Sequence, residues 1–161
     1  MKVYTPYGEL PFEKFTFPDG QSHVKLSIRE TRGEYLTATI ETAIRDGNEL
    51  FEVLLLKDTL SASGYRVSLD VRYLLGGRMD RRITPGEAFT LDVVARVLLG
   101  AGFLRIRVLD PHSEASLRLL GASAVYPRAA LEAVLAAVNP SVGVSPDKGA
   151  AGRVSELIGD R

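Results

Sequence analysis

The chain has 161 residues, of which 45% are apolar and 25% are charged. A chain of this length and composition can bury a core, which excludes an intrinsically disordered protein. Lysine plus arginine and aspartate plus glutamate number 20 each, so the net charge is zero and there is no basic excess to neutralise phosphates. We therefore expect a globular domain with no nucleic-acid partner.

The cysteine and histidine content limits the metal and redox chemistry. The chain has no cysteine and two histidines, His23 and His112. This excludes disulfides, thiolate zinc sites, iron–sulfur clusters, a cysteine nucleophile and a multi-histidine zinc site. A bound metal would be held mainly by oxygen, which favours magnesium. No segment is apolar enough to span a bilayer or to act as a signal peptide, so we expect a cytoplasmic protein with no membrane partner.

The first 30 residues are rich in proline and aromatic residues and predict short strands and turns. Residues 23–28 alternate between apolar and polar residues, as a strand does. Pro18-Asp19-Gly20 predicts a tight turn, because proline presets φ and glycine accepts a positive φ.

From residue 34 onward, the pattern alternates between strands and helices. The predicted strands are 35–40, 66–73, 104–109, 124–126 and 142–145, and the predicted helices are 48–60, 87–100, 114–120, 128–138 and 150–158. Such alternation predicts an α/β fold with a mostly parallel sheet and helices on both faces. The last helix carries Val154, Leu157 and Ile158 with no further strand to cover, so we expect a larger α/β protein to continue beyond Arg161.

Three polar loops follow predicted strands, at the edge where open α/β sheets bind ligands. The first, 78–82, holds three arginines and an aspartate, which suit a polyphosphate or form only a solvated charged loop. The second contains His112, either a metal ligand or a structural histidine. The third contains Asp147, either a magnesium ligand or the cap of the following helix.

Taken in order with the turn Phe17-Pro18-Asp19-Gly20-Gln21, these loops resemble the ribose-phosphate pyrophosphokinases. That family has an F-x-D-G-E turn, a Y-x-x-x-A-R-Q-D-R-R loop, a D-L-H-A loop and an S-P-D-x-G-G turn. The corresponding segments here are 17–21, 73–82, 110–113 and 145–150, and the resemblance covers about residues 12–161. Gln21 stands in place of glutamate, Met79 of glutamine and Pro111 of leucine, while Gly76-Gly77 replace Tyr-Ala.

The resemblance implies a type I phosphoribosyltransferase-like fold and a reaction between ATP and ribose 5-phosphate that yields phosphoribosyl pyrophosphate and AMP. It implies that residues 1–145 form the N-terminal pyrophosphokinase-like domain and that 146–161 begin a truncated second domain. The implied nucleotide-binding residues are Phe17, Asp19, Gly20, Gln21, Arg78, Met79 and Asp80, and the implied magnesium ligands are His112 and Asp147.

The family's ribose-phosphate loop and catalytic lysine would lie beyond Arg161, so the resemblance assigns no catalytic residue to this chain. We expect this chain alone to be inactive. We also expect it to form a homo-oligomer. Two other interpretations are a non-catalytic regulatory or assembly relative of the family and a true phosphoribosyltransferase. The second is disfavoured because no acidic ribose-phosphate loop is visible in the sequence.

Overall fold

The structure is a computed structural model that describes residues 1–27, 36–140, 142–145 and 148–158. Its residues divide into two compact units, Met1–Val125 and Tyr126–Arg161. Among the described residues, no helix has both the length and the apolar character needed to cross a membrane. The predicted domain boundary between residues 145 and 146 stays a prediction.

The first unit contains eight strands and three helices among its described residues. The strands are β1 (Lys2–Thr5), β2 (Gly8–Glu9), β3 (Phe12–Thr16), β4 (Ser22–Leu26), β5 (Leu36–Ala43), β6 (Tyr65–Tyr73), β7 (Ile106–Leu109) and β8 (Ser123–Val125), and the helices are α1 (Gly47–Ala62), α2 (Thr90–Gly100) and α3 (Glu114–Leu120). The second unit contributes α4 (Arg128–Val138) and α5 (Ala151–Ile158).

The main sheet has six strands in the order β2-β1-β5-β6-β7-β8. Strands β5 to β8 run parallel to one another, whereas β1 is antiparallel to both β2 and β5. The predicted fold class is therefore confirmed: the chain is α/β, its sheet is mostly parallel, and its N-terminal region consists of short strands.

The three helices of the first unit lie on one face of the sheet, whereas the sequence predicted helices on both faces. The parallel strands follow one another in chain order across the sheet, and crossovers between parallel strands are right-handed, so α1, α2 and α3 share that face. The core lies beneath them: alternate residues of β5 and β6, such as Ile40 and Leu69, are fully buried together with Leu56 of α1 and Leu98 of α2. The carboxyl ends of β5 to β8 therefore form one edge of the sheet, and the loops that follow them are neighbours.

Strands β3 and β4 form a separate two-stranded antiparallel sheet, hereafter the hairpin. It packs mainly on α1, and Val24 on its inner face is buried in the same core. The predicted short strands and the turn at 18–20 are both found, with Gly20 at a positive φ of 87°. Ile28, the end of the alternating run, lies outside the described residues.

Two of the predicted elements differ from the structure. Helix α2 begins at Thr90 rather than at residue 87, because the Glu87 carboxylate accepts hydrogen bonds from the backbone N–H groups of Ile83 and Thr84 and closes a loop instead. The predicted strand 142–145 is wrong: Val142 and Val144 are 70% and 82% exposed, and no neighbouring strand pairs with this segment in the described structure.

The remaining elements shift by three residues or fewer at their ends. The predicted strand 35–40 corresponds to β5, which begins at Leu36 among the described residues, since Tyr35 lies outside them.

Candidate functional site

The structure brings two of the predicted loops together at the carboxyl edge of the sheet. The loop after β6 contains residues 78–82, and the loop after β7 contains residues 110–113. Strands β6 and β7 are adjacent and parallel, with Leu69 opposite Ile106. This pairing makes the two loops neighbours although more than twenty residues separate them in sequence.

The loop after β6 leaves the strand through two tight turns. The N–H of Gly77 donates to the carbonyl of Leu74 at 3.0 Å, and the N–H of Met79 donates to the carbonyl of Gly76 at 2.8 Å. Gly76 has a φ of 76°, and a Cβ at this position would lie 3.0 Å from Leu91 N and 3.0 Å from Thr90 Cγ2. Glycine at 76, one of the departures from the family pattern, is thus required by the close approach of α2.

Asp80 is a largely buried carboxylate in the loop after β6. Its side chain is 9% exposed, and its Oδ1 accepts a hydrogen bond from Arg81 Nε at 3.0 Å. The Ser113 hydroxyl is the largest cause that lowers the pKa of Asp80, ahead of Arg81, and the nearby His112 lowers it further. The Ser113 Oγ is buried and has no hydrogen-bond partner among the described residues, so its effect on the Asp80 pKa is that of a nearby hydroxyl.

The side chains at the surface of this edge carry both signs of charge, with Asp110 and Glu114 exposed after β7 and arginines exposed after β6. Arg78, Arg82 and His112 are exposed, and Met79 is 49% exposed. Neither Arg78 nor Arg82 forms an ion pair with another described residue. Two exposed guanidinium groups without an ion-pair partner among the described residues can each bind phosphate oxygens in a bidentate manner.

The turn 17–21 is well formed and connects the two strands of the hairpin. The N–H of Gly20 donates to the carbonyl of Phe17 at 2.8 Å, and the N–H of Gln21 donates to Asp19 Oδ1 at 3.1 Å. Gln21 Nε2 also donates to Asp19 Oδ2 at 2.9 Å, so both Asp19 oxygens are used within the turn. No hydrogen bond, ion pair or ring contact between described residues joins this turn to residues 78–82.

An exposed aromatic cluster lies next to the turn. Phe17 is 47% exposed, and its ring centroid lies 5.2 Å from that of Phe15 and 6.0 Å from that of His23. The Phe15 and His23 rings lie 5.1 Å apart. These faces offer a stacking surface for a planar ring, which is compatible with the expectation for Phe17.

The predicted magnesium ligands do not assemble a site among the described residues. Asp147 lies outside them, and they contain no group of three histidine, aspartate or glutamate side chains placed to hold a metal ion. Asp80, which lies near His112, is already paired with Arg81. Of the predicted pair only His112 lies among the described residues, and one imidazole does not complete a site for an ion that prefers oxygen ligands.

Arg81 was predicted only as one of three arginines that suit a polyphosphate, and it forms an ion pair with Asp80 instead, while Ser113 near Asp80 had no predicted role. Ser113 is far from Asp80 in sequence and Arg81 is adjacent to it. Neither position indicates, from a single sequence, that the side chains interact. The parallel order of β6 and β7 predicts that the loops meet, but the choice of side chains that touch is decided by packing.

Comparisons with known proteins give a consistent result. The chain matches no known family model. It is 29% identical over 153 residues to a ribose-phosphate pyrophosphokinase of Sulfurisphaera tokodaii, covering 92% of this chain and 52% of that protein. It is 30% identical over 156 residues to the enzyme of the same name from Methanothermobacter thermautotrophicus, covering 92% and 54%.

The chain is related to the ribose-phosphate pyrophosphokinases. This relationship confirms the resemblance carried by the four sequence segments. Its fold is similar to that of the crystal structure of a phosphoribosylpyrophosphate synthetase from Mycobacterium smegmatis, with a TM-score of 0.76 and 19% identity over 92% of this chain and 51% of that one. The chain thus spans about half the length of the pyrophosphokinases it matches.

Proposed function

We propose that this chain is the nucleotide-side half of a ribose-phosphate pyrophosphokinase. In this proposal the loop 78–82 binds the phosphates of ATP, and the turn 17–21 contributes to the nucleoside end. The observation that carries the proposal is Arg78, which is exposed and has no ion-pair partner among the described residues, in a loop at the carboxyl edge of the sheet whose strand pairs with β7.

The division of roles follows from the chemistry of each side chain. Arg78 presents a planar fork of donors that matches phosphate oxygens. The two backbone hydrogen bonds at Gly77 and Met79 order the loop, so that less conformational freedom is lost when a ligand binds. Phe17 supplies an apolar ring face for the adenine, beside a turn whose Gly20 and Gln21 N–H groups are already used to close it. Met79 presents an apolar surface where the family has glutamine.

The proposed reaction of the complete enzyme is diphosphoryl transfer. The 1-hydroxyl oxygen of ribose 5-phosphate attacks the β-phosphorus of ATP, and the bond between that phosphorus and the bridging α–β oxygen breaks. AMP leaves with the bridging oxygen, and the hydroxyl proton passes to solvent. Such transfers depend mainly on positioning and on neutralisation of phosphate charge, which is the role proposed for Arg78.

Magnesium is part of the proposal only as a companion of the nucleotide. Because the described residues do not assemble a site for it, no step above is derived through the ion. His112 and Asp147 remain proposed ligands.

The proposal is tested by mapping nucleotide binding on the folded chain. Addition of ATP should shift the backbone amide resonances of residues 17–21 and 78–82, and leave those at the amino end of β6 unchanged. A folded sample whose resonances do not move at millimolar ATP would contradict the proposal. In the same sample, ATP and ribose 5-phosphate should give no phosphoribosyl pyrophosphate above a blank, and turnover would contradict the assignment of a half site.

A further inference from the structure

A buried carboxylate lies outside the loops discussed above. Glu52, in the second turn of α1, is 3% exposed, and it is the ionisable member among the buried polar side chains of the described residues. A buried charge costs free energy unless it is paired and hydrogen-bonded. The partners of Glu52 therefore indicate what the carboxylate does.

Both strands of the hairpin supply a partner to Glu52. Lys14 Nζ on β3 lies 2.8 Å from Glu52 Oε1, and Ser22 Oγ on β4 donates to the same oxygen at 3.1 Å. Lys14 pairs with Val24 in the register of the hairpin, and Ser22 pairs with Thr16, so Lys14, Ser22 and Val24 share its inner face. One oxygen atom of α1 thus joins both strands at the face that packs on the helix.

The hairpin depends on this attachment more than a central strand would. It forms its own two-stranded sheet, and its strands are not hydrogen-bonded into the main sheet. An isolated pair of strands is marginally stable in water, so the hairpin is held by packing around Val24 and by the polar contacts of Glu52. Packing alone is not directional, whereas an ion pair and a hydrogen bond to one oxygen fix the hairpin's orientation.

The attachment point is next to the turn. Ser22 follows Gln21 directly, and the N–H of Phe17 donates to the carbonyl of Gln21 at 2.8 Å to close the turn. Phe15, Phe17 and His23 lie on the opposite face of the hairpin from Lys14 and Val24. Movement at Ser22 would therefore be transmitted to the aromatic cluster.

We propose that Glu52 is a positioning residue, which holds the hairpin on α1 through Lys14 and Ser22 and thereby sets the position of the turn 17–21. The position of the hairpin is a property of the folded chain. Its importance for ligand binding rests on the proposed function, in which that turn contacts ATP.

The test compares Glu52→Gln with a matched control on the same helix. Glu49→Gln also removes a glutamate charge and an ion pair, with Arg45 at 2.8 Å, but that pair lies within residues 45–49 and does not reach the hairpin. Lys14→Met is a second variant, which removes the half-exposed partner of the pair and keeps the Ser22 hydrogen bond. Amide hydrogen exchange is measured for residues 12–26 and for β6, followed by titration with ATP.

In Glu52→Gln and Lys14→Met, amide hydrogen exchange at residues 12–26 should become about tenfold faster relative to exchange in β6. This factor corresponds to losing one hydrogen bond to a charged group. Affinity for ATP should fall by a similar factor, while Glu49→Gln leaves the ratio of hairpin to β6 exchange and the ATP affinity unchanged. If Glu52→Gln does not fold, the Lys14→Met result decides.

Hairpin exchange that accelerates no more than β6 exchange would overturn the inference, as would a loosened hairpin with unchanged ATP affinity. A wild-type chain that binds no ATP would contradict the proposed function alone. In that case the exchange comparison still decides whether Glu52 holds the hairpin.

Discussion

Gly76 is a residue whose identity the backbone determines. Its positive φ favours glycine, and an added Cβ would meet the backbone of Leu91 and the side chain of Thr90 at 3.0 Å. We expect Gly76→Ala to lower the free energy of unfolding by about 2 kcal/mol, from the left-handed backbone and the crowding together. Chemical denaturation measures the change.

Gly100→Ala is the matched control for this substitution. Gly100 closes α2, its φ is not positive, and nothing lies within 4 Å of an added Cβ. Alanine there should be neutral or stabilising by up to about 1 kcal/mol. Equal losses in the two variants would contradict the role given to Gly76.

Asp80 is expected to make stability depend on pH in the acidic range. Its pKa is lowered by the Ser113 hydroxyl first and then by Arg81, so the folded state favours the ionised carboxylate. The resulting stabilisation is fully present above the unfolded pKa of about 3.9 and is lost as the pH falls through the lower folded pKa. Asp80→Asn should cost about 1 kcal/mol near pH 7, a modest value because Arg81 is 77% exposed.

Denaturation at several pH values tests this prediction. The difference between wild type and Asp80→Asn should shrink below about pH 4. Asp58→Asn, on the exposed face of α1, is the control and should differ little from wild type at any pH. A wild-type advantage over Asp80→Asn that grows toward acid would have the wrong sign for this account.

At the scale of elements, α1 is stabilised by its first turn. Asp46 Oδ1 accepts a hydrogen bond from the N–H of Glu49 at 2.8 Å, and Glu49 in turn accepts from the N–H of Arg45 at 2.5 Å. Replacing an N-cap aspartate by alanine typically costs about 1 kcal/mol, and we expect that loss for Asp46→Ala. Asp58→Ala, in the middle of the same helix, should be neutral or slightly stabilising, and thermal unfolding of both variants separates a cap effect from a charge effect.

The sequence predicted the central elements well because their patterns are strong. The apolar run of α1 and the long β6 agree within three residues, and the parallel arrangement followed from the alternation of strands and helices. It did not predict the antiparallel placement of β1 beside β5, where Val3 faces Ile40, because four residues carry too little periodicity. Val142 and Val144 resembled a strand by composition, but pairing partners decide strand formation and none is present in the described structure.

The candidate site was predictable in its loops but not in its contacts. Arg78 and His112 follow adjacent strands, so the edge rule for parallel sheets brings their loops together. That Asp80 is largely buried and pairs with Arg81, while Arg78 stays exposed, is decided by side-chain packing and has no signal in a single sequence. The turn 17–21 belongs to the hairpin, whose placement depends on the contacts of α1.

At the scale of the whole molecule, the second unit leaves apolar surface uncovered. None of the eleven residues of α4 is buried, and Val134 and Val138 are 56% and 67% exposed on the same side of the helix. Apolar surface of this kind usually finds a partner, so we expect a homo-oligomer at micromolar concentration. Sedimentation velocity should show a species heavier than the 17.5 kDa chain.

Substitution of both valines by glutamate should lower the oligomer's stability, whereas Val144→Ser, at an exposed valine outside α4, should not. A wild-type chain that sediments as a monomer throughout the micromolar range would be inconsistent with this expectation.

The central claim, that the edge loop 78–82 binds the phosphates of ATP, is tested most directly by calorimetric titration of wild type and Arg78→Ala with ATP and ADP, with and without magnesium. Arg66→Ala is the control, since Arg66 is also exposed but lies at the amino end of β6. We predict weak binding that magnesium strengthens, a loss of about 1.5–3 kcal/mol in Arg78→Ala and no change in Arg66→Ala. Absence of binding by folded wild type, or an Arg78→Ala affinity equal to that of wild type, would contradict the account.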